Sequence, residues 1–145
     1  MQKQLTEVFD VDSVPKTLLL CIVTLGCYLI YKLYHFSKQI NQHTELKIPQ
    51  AFITTSIALF VISFISLLYG IANIDDLTIL QSSIGIHMVS SIFDVTWIIM
   101  VRNRINIISW AVKGDILWLT PIITSVFHVI YMQYKINQSV NQPAS

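Results

Sequence analysis

Apolar positions dominate four stretches of this chain, and short polar intervals separate them. From Ile48 to Ile74 no residue is charged. Ala51–Ala72 alone would cover roughly 30 Å of hydrocarbon at about 1.5 Å of rise per residue. Asn73, Asp75 and Asp76 end that stretch in a short polar turn, and the next, Leu77–Val101, carries His87 and Asp94. Helices joined so tightly are expected to be antiparallel neighbours. A first stretch, Thr17–Tyr34, follows Pro15, a residue that a helix start tolerates. It holds Lys32 near its end and Tyr28, Tyr31 and Tyr34, which suit an aromatic belt with the lysine snorkelling to the interface. The fourth, Ile116–Tyr134, is interrupted by Pro121. The pattern predicts an all-α fold: an integral membrane four-helix bundle with short loops, as a single transmembrane domain over 1–145. Its spans are near 17–34, 51–72, 77–101 and 116–134, with polar tails at 1–14 and 136–145.

Composition agrees with a lipid-facing wall. Hydrophobic residues make up 54% of the chain and charged ones 12%, half the share that a soluble domain needs to cover itself. Net charge is +1, so no basic field exists to hold a phosphate backbone, and nucleic acid is not an expected partner. The lipid bilayer is, together with other membrane subunits or further copies of the chain. Cys21 and Cys27 lie six apart on one predicted helix and point to different faces, which disfavours a disulfide. The N-terminal segment is acidic and lacks a small-residue cleavage site, unlike a signal peptide.

Between the third and fourth stretches, 102–115 mixes Ile105, Ile107, Ile108 and Trp110 with Arg102, Arg104 and Lys113. It is too short to cross and reads as interfacial. With four crossings, Lys32, Lys38, Lys47, Arg102, Arg104 and Lys113 fall on one side. Lys3, Lys16 and Lys135 fall on the other. The excess places loops 35–50 and 102–115 in the cytoplasm and both termini outside.

Chemistry, if present, belongs to the third and fourth stretches. Ser83, His87, Ser90, Ser91 and Asp94 share one helical face, and ionisable groups at membrane depth are expensive. They could relay a proton through Ser90 or a water, or lock helices together by hydrogen bonds at about 0.6 kcal/mol each. Packing is the simpler reading. Asp94 could also pair with Arg102. Thr120, Thr124 and His128 form a second polar stripe, and if it faces the first, His87, Asp94 and His128 make a small cluster. Ser56, Ser63, Ser66 and Gly70 form a small-residue packing face on the second stretch. No HExxH or paired-cysteine spacing points to a metal, and nothing points to a cofactor. No nucleophile elbow, phosphate loop or dinucleotide turn is present, so an enzyme is not expected. A lipid-modifying enzyme is the minor alternative.

Two segments, YHFSKQINQ (34–42) and YMQYKINQ (131–138), echo one another at the ends of spans. They are either a repeat of two hairpins or two similar interfacial exits, the second being simpler. The run TLGCYLIYKLYHFSKQIN (24–41) resembles the opening of small bacterial membrane proteins grouped as domain of unknown function 4234. Thr24, Leu25, Gly26 and Tyr28 match that opening, and Gln133 and Asn137 match the exit, about a third of the chain in all. The resemblance implies a helical protein of the bacterial inner membrane and no particular chemistry. The expectation from all of this is a non-enzymatic accessory or assembly subunit of a larger inner-membrane complex. The alternative is a small oligomeric transporter, channel or proton-linked carrier.

Overall fold

The structure, a computed structural model, describes residues 2–140, with side chains from Leu5 onward. Among the described residues every regular element is helical: α1 (Gln2–Val8), α2 (Val14–Val23), α3 (Cys27–His43), α4 (Gln50–Ala72), α5 (Leu77–Ile108) and α6 (Pro121–Val140). The all-α expectation holds, and α4 and α5 are long and apolar enough to cross a membrane. Two compact units are distinguishable, residues 49–97 and residues 1–48 with 98–145.

The 49–97 unit is a helical hairpin. Asn73 ends α4, its backbone N–H and its Nδ2 both donating to Tyr69 O. Asp76 starts α5 by accepting from the N–H groups of Thr78 (2.9 Å) and Ile79 (3.3 Å). The two helices run antiparallel, because Ser63 meets His87 while Gly70, later in α4, meets Ser83, earlier in α5. The facing surfaces are small and polar: Ser56, Ser63, Gly70, Ser83 and Ser90 are buried. Ile62, Ile65, Leu68, Met88 and Ile92 point outward at half exposure or more. Only 17% of the apolar window of α4 and 22% of that of α5 is buried. A core helix in water buries its apolar stripe. This hairpin does the reverse, which is how helices associate where lipid supplies no hydrophobic drive.

The other unit has a conventional apolar core. Three helices each present apolar residues at i, i+3 and i+7: Leu33, Phe36 and Ile40; Ile98, Val101 and Ile105; Val129, Met132 and Ile136. None of the nine is more than 1% exposed. In each helix the last isoleucine precedes an asparagine that grips a returning segment. Asn41 accepts from Ile48 N–H (2.7 Å) and donates to Ile48 O (2.9 Å). Asn106 does the same to Leu119 (2.9 and 3.2 Å), and Asn137 donates to Asp12 O (2.6 Å). The echo read between 34–42 and 131–138 therefore has a third member in the last turns of α5.

Several expected boundaries differ. Thr17–Tyr34 is not one straight helix: α2 and α3 meet in a turn at Thr24–Gly26. Leu25 and Gly26 both have positive φ there (51° and 89°). Thr24 Oγ1 bridges the turn, donating to Leu20 O and accepting from Tyr28 N–H. A straight helix would part Asp12 from Lys32 by about 30 Å, yet their side chains meet at 2.7 Å. The chain reverses. Residues 1–14 are not a loose tail, since α1 lies within them and Leu5 and Phe9 are core residues, Phe9 edge-on to Phe36 at 5.8 Å. Helix α5 continues through Arg102–Ile108, where an interfacial loop was expected. The fourth helix starts at Pro121 rather than Ile116, breaks at His128 (φ 47°, ψ −130°) and continues to Val140. The expected tail is thus helical over 136–140, and its remainder lies outside the described residues.

Candidate functional site

The densest polar arrangement joins the N-terminal segment to α3 and α6. Lys32 enters because α3 carries it on the face that buries Leu33 and Phe36, and it is 3% exposed. Its Nζ donates to Asp12 Oδ2 (2.7 Å) and Gln133 Oε1 (3.1 Å) and lies 5.5 Å from the Phe36 ring centre. Gln133, fully buried, donates through Nε2 to Asp10 O (3.1 Å) and Asn137 Oδ1 (2.9 Å). Gln39 Nε2 donates to Asp10 Oδ2 (2.7 Å), and the same oxygen lies 3.1 Å from His35 Nε2. The Lys32 ammonium holds the Asp12 carboxyl below its usual value, against a smaller opposing push from burial.

This clasp ties three segments that sequence order separates. Lys32 and Gln133 are held from two sides each, whereas Gln39 Oε1 is buried without a hydrogen-bond partner. Lys32 had been expected to snorkel to an interface. Folding the hairpin brings Asp12 to it, and pairing inside replaces solvation outside. Sequence reasoning passed over Asp10, Asp12 and Gln39, and knew Gln133 and Asn137 only as part of a resemblance. The one local signal was a lysine among apolar residues with two acids upstream.

Arg102 and Arg104 also hold backbone. Arg102 donates through Nε to Leu119 O (2.7 Å) and through a terminal nitrogen to Asn103 Oδ1 (2.7 Å), with Trp118 stacked at 5.2 Å. It does not pair with Asp94. The extension of α5 carries its guanidinium to the 118–119 segment instead. Arg104 donates to Leu46 O, Lys47 O and Met100 O. Lys113 is exposed.

In the hairpin, His87 Nδ1 shares a hydrogen bond with Ser63 Oγ (2.8 Å), and Ser91 Oγ donates to the His87 carbonyl (2.8 Å). Ser83 Oγ turns back to Ile79 O. Ser90 Oγ, Ser56 Oγ and Asp94 Oδ1 are buried with no hydrogen-bond partner. A chain of hydrogen bonds from His87 through Ser90 to Asp94 is therefore not formed. Thr124 and His128 belong to the other unit. Thr124 Oγ1 donates to Thr120 O within α6 (2.7 Å), and His128 Nδ1 is buried without a partner. Cys21 and Cys27 are free thiols.

The fold and the sites together define a small all-helical protein with two helices able to cross a membrane. No family model matches the chain, and neither a curated protein nor a solved structure matches it.

Proposed function

We propose that this protein is a small membrane-embedded subunit that acts by contact, as a non-enzymatic accessory or assembly component of a larger inner-membrane complex. The observation that carries the reading is the division of labour among side chains. Lys32, Arg102, Arg104 and Gln133 are all engaged in holding the chain's own segments. The outer wall of the α4–α5 hairpin meanwhile exposes many large apolar side chains, Ile62, Ile65, Leu68, Met88 and Ile92 among them, to lipid or to a neighbouring helix. The reading also takes up the resemblance to domain of unknown function 4234, whose matching residues lie at two structured places. Thr24, Leu25 and Gly26 form the α2–α3 turn, and Gln133 and Asn137 sit in the clasp. Mild-detergent extraction of a tagged copy should bring down a stable set of membrane proteins. Deleting the gene should lower their abundance. A companion-free homo-oligomer would overturn the reading.

Charge distribution supports an orientation. All nine Lys and Arg lie outside 49–97, whose charged residues are Asp75, Asp76 and Asp94. Cations remain cytoplasmic, so the Asn73–Asp76 turn is the external end of the hairpin and the chain flanking it is cytoplasmic. The termini, which a fourfold crossing would put outside, belong on the cytoplasmic side in this reading.

The second reading, a proton-linked carrier, draws on Asp94, whose Oδ1 is buried without a partner beside a helix face bearing Ser90. Asp94→Asn separates the two. A contact protein keeps its companions and abundance, whereas a carrier loses transport while remaining folded, because a transport step needs a group that changes charge.

A further inference from the structure

We propose that the α2–α3 hairpin is a re-entrant element, dipping into one leaflet and returning to the side it came from, with acyl chains of that leaflet as its partner. The inference rests on the membrane reading above. Three observations converge on it. The chain reverses, because Asp12 ahead of α2 grips Lys32 inside α3. The part beyond that grip is apolar outside: Leu19, Ile22, Val23 and Leu25 are 61–71% exposed, an arrangement that water penalises and hydrocarbon does not. And α2, at ten residues, is about 15 Å long, half of a hydrocarbon core of about 30 Å.

The mouth and the tip are both built for that depth. Polar groups cluster at the mouth: Lys16 at the start of α2, then Asp12, Lys32 and His35, with Tyr31 stacked on His35 at 6.2 Å. Tyrosines and lysines favour the headgroup level. At the tip a broken helix must satisfy its freed backbone groups without water. Thr24 does so, its hydroxyl serving Leu20 O and Tyr28 N–H. The Leu25 and Gly26 N–H groups return to Ile22 O and Cys21 O.

The test uses thiols in the full chain. In the native protein Cys21 and Cys27 should resist an impermeant maleimide in intact cells and in inverted vesicles, and react once detergent is added. In a version lacking both, Val11→Cys and Lys38→Cys should label from the same side. A fluorophore placed on Val23→Cys in detergent should, after reconstitution, be quenched by lipids carrying nitroxides on their chains. Labelling of the two flanks from opposite sides would overturn the proposal, since the segment would then cross. So would aqueous labelling at Val23→Cys in sealed membranes, or a tip shielded from both water and lipid quenchers, which would make a protein its partner. If both flanks label together but from outside, the orientation inferred above fails and the re-entrant hairpin stands.

Discussion

Lys32 shows how a single residue is read differently by pattern and by packing. Pattern treats a lysine near the end of an apolar run as a snorkelling cation. Packing places it 3% exposed between Asp12 and Gln133, where its charge needs a partner. Removing one member of such a pair is asymmetric. Asp12→Asn strands a buried ammonium and should cost about 1–3 kcal/mol, with the partial exposure of Asp12 moderating the loss. Lys32→Met leaves a carboxylate that water can reach and should cost less. Thermal unfolding in detergent would give the ranking, and an equal or reversed order would remove the clasp from the account of stability. The same contact fixes a pH dependence. The Asp12 pKa is lower folded than its ordinary value of 3.8. Its contribution is therefore complete above 3.8 and is lost as pH falls through the lower, folded value. No slope from this residue is expected near neutrality. A midpoint that fell on going from about pH 8 to pH 6 would need a different group.

At the scale of elements, legibility followed the range of the interactions that shape each one. Helix α4 was readable because everything that makes it is local: an uncharged run, a proline before it and Asn73 after it. Its serine face was readable for the same reason: Ser56, Ser63 and Gly70 are buried, and Ser66, also expected there, is half-buried. The α2–α3 turn was not. Hydropathy measures how apolar a segment is and is silent on whether its backbone stays straight. What bends it are two positive φ angles and a pairing twenty residues apart. The clamps of Asn41, Asn106 and Asn137 were hidden likewise, their partners lying in other segments, and the break at His128 leaves no mark on the apolar pattern. Where the reading was local it makes a sharp prediction. A Cβ on Gly70 would sit 2.7 Å from Ser83 Oγ and 2.8 Å from Ser83 Cβ, whereas one on Gly85 would meet nothing within 4 Å. Gly70→Ala should loosen the hairpin by about 1–3 kcal/mol. Gly85→Ala should be neutral. Adding Ser83→Gly should restore the Gly70→Ala protein, because it removes both clashing atoms. Failure of that rescue, measured by unfolding in mixed micelles, would place the strain elsewhere.

For the whole molecule, the question is which side of the membrane each end occupies. A chain of four straight crossings alternates sides, so its two termini share one face and Gln42 lies on the other. The reversal of α2–α3 removes the first alternation. Residues before α2 and residues near Lys32 then stand on one side, and they meet α6 directly through Gln133 and Asn137. On the proposed orientation all nine cations, divided six to three by alternating crossings, belong to the cytoplasmic side, since every one lies outside 49–97 in the sequence. Asp75 and Asp76 are left at the far tip of the α4–α5 hairpin. In a version without Cys21 and Cys27, cysteines at Asn73, Gln42 and Ser139 distinguish the arrangements. With an impermeant thiol reagent on intact cells, Asn73→Cys should label, while Gln42→Cys and Ser139→Cys should both be protected until the membrane is opened. Because Ser139 is fully buried, Gln138→Cys supplies a second readout for the end of α6. Labelling at 138 and 139 with protection at 42 would restore the fourfold crossing and require the contact between Asp12 and Lys32 to be broken in the membrane. Protection at 73 with labelling at 42 would invert the protein, and the gathering of cations would then call for a cause other than the rule that keeps them in the cytoplasm.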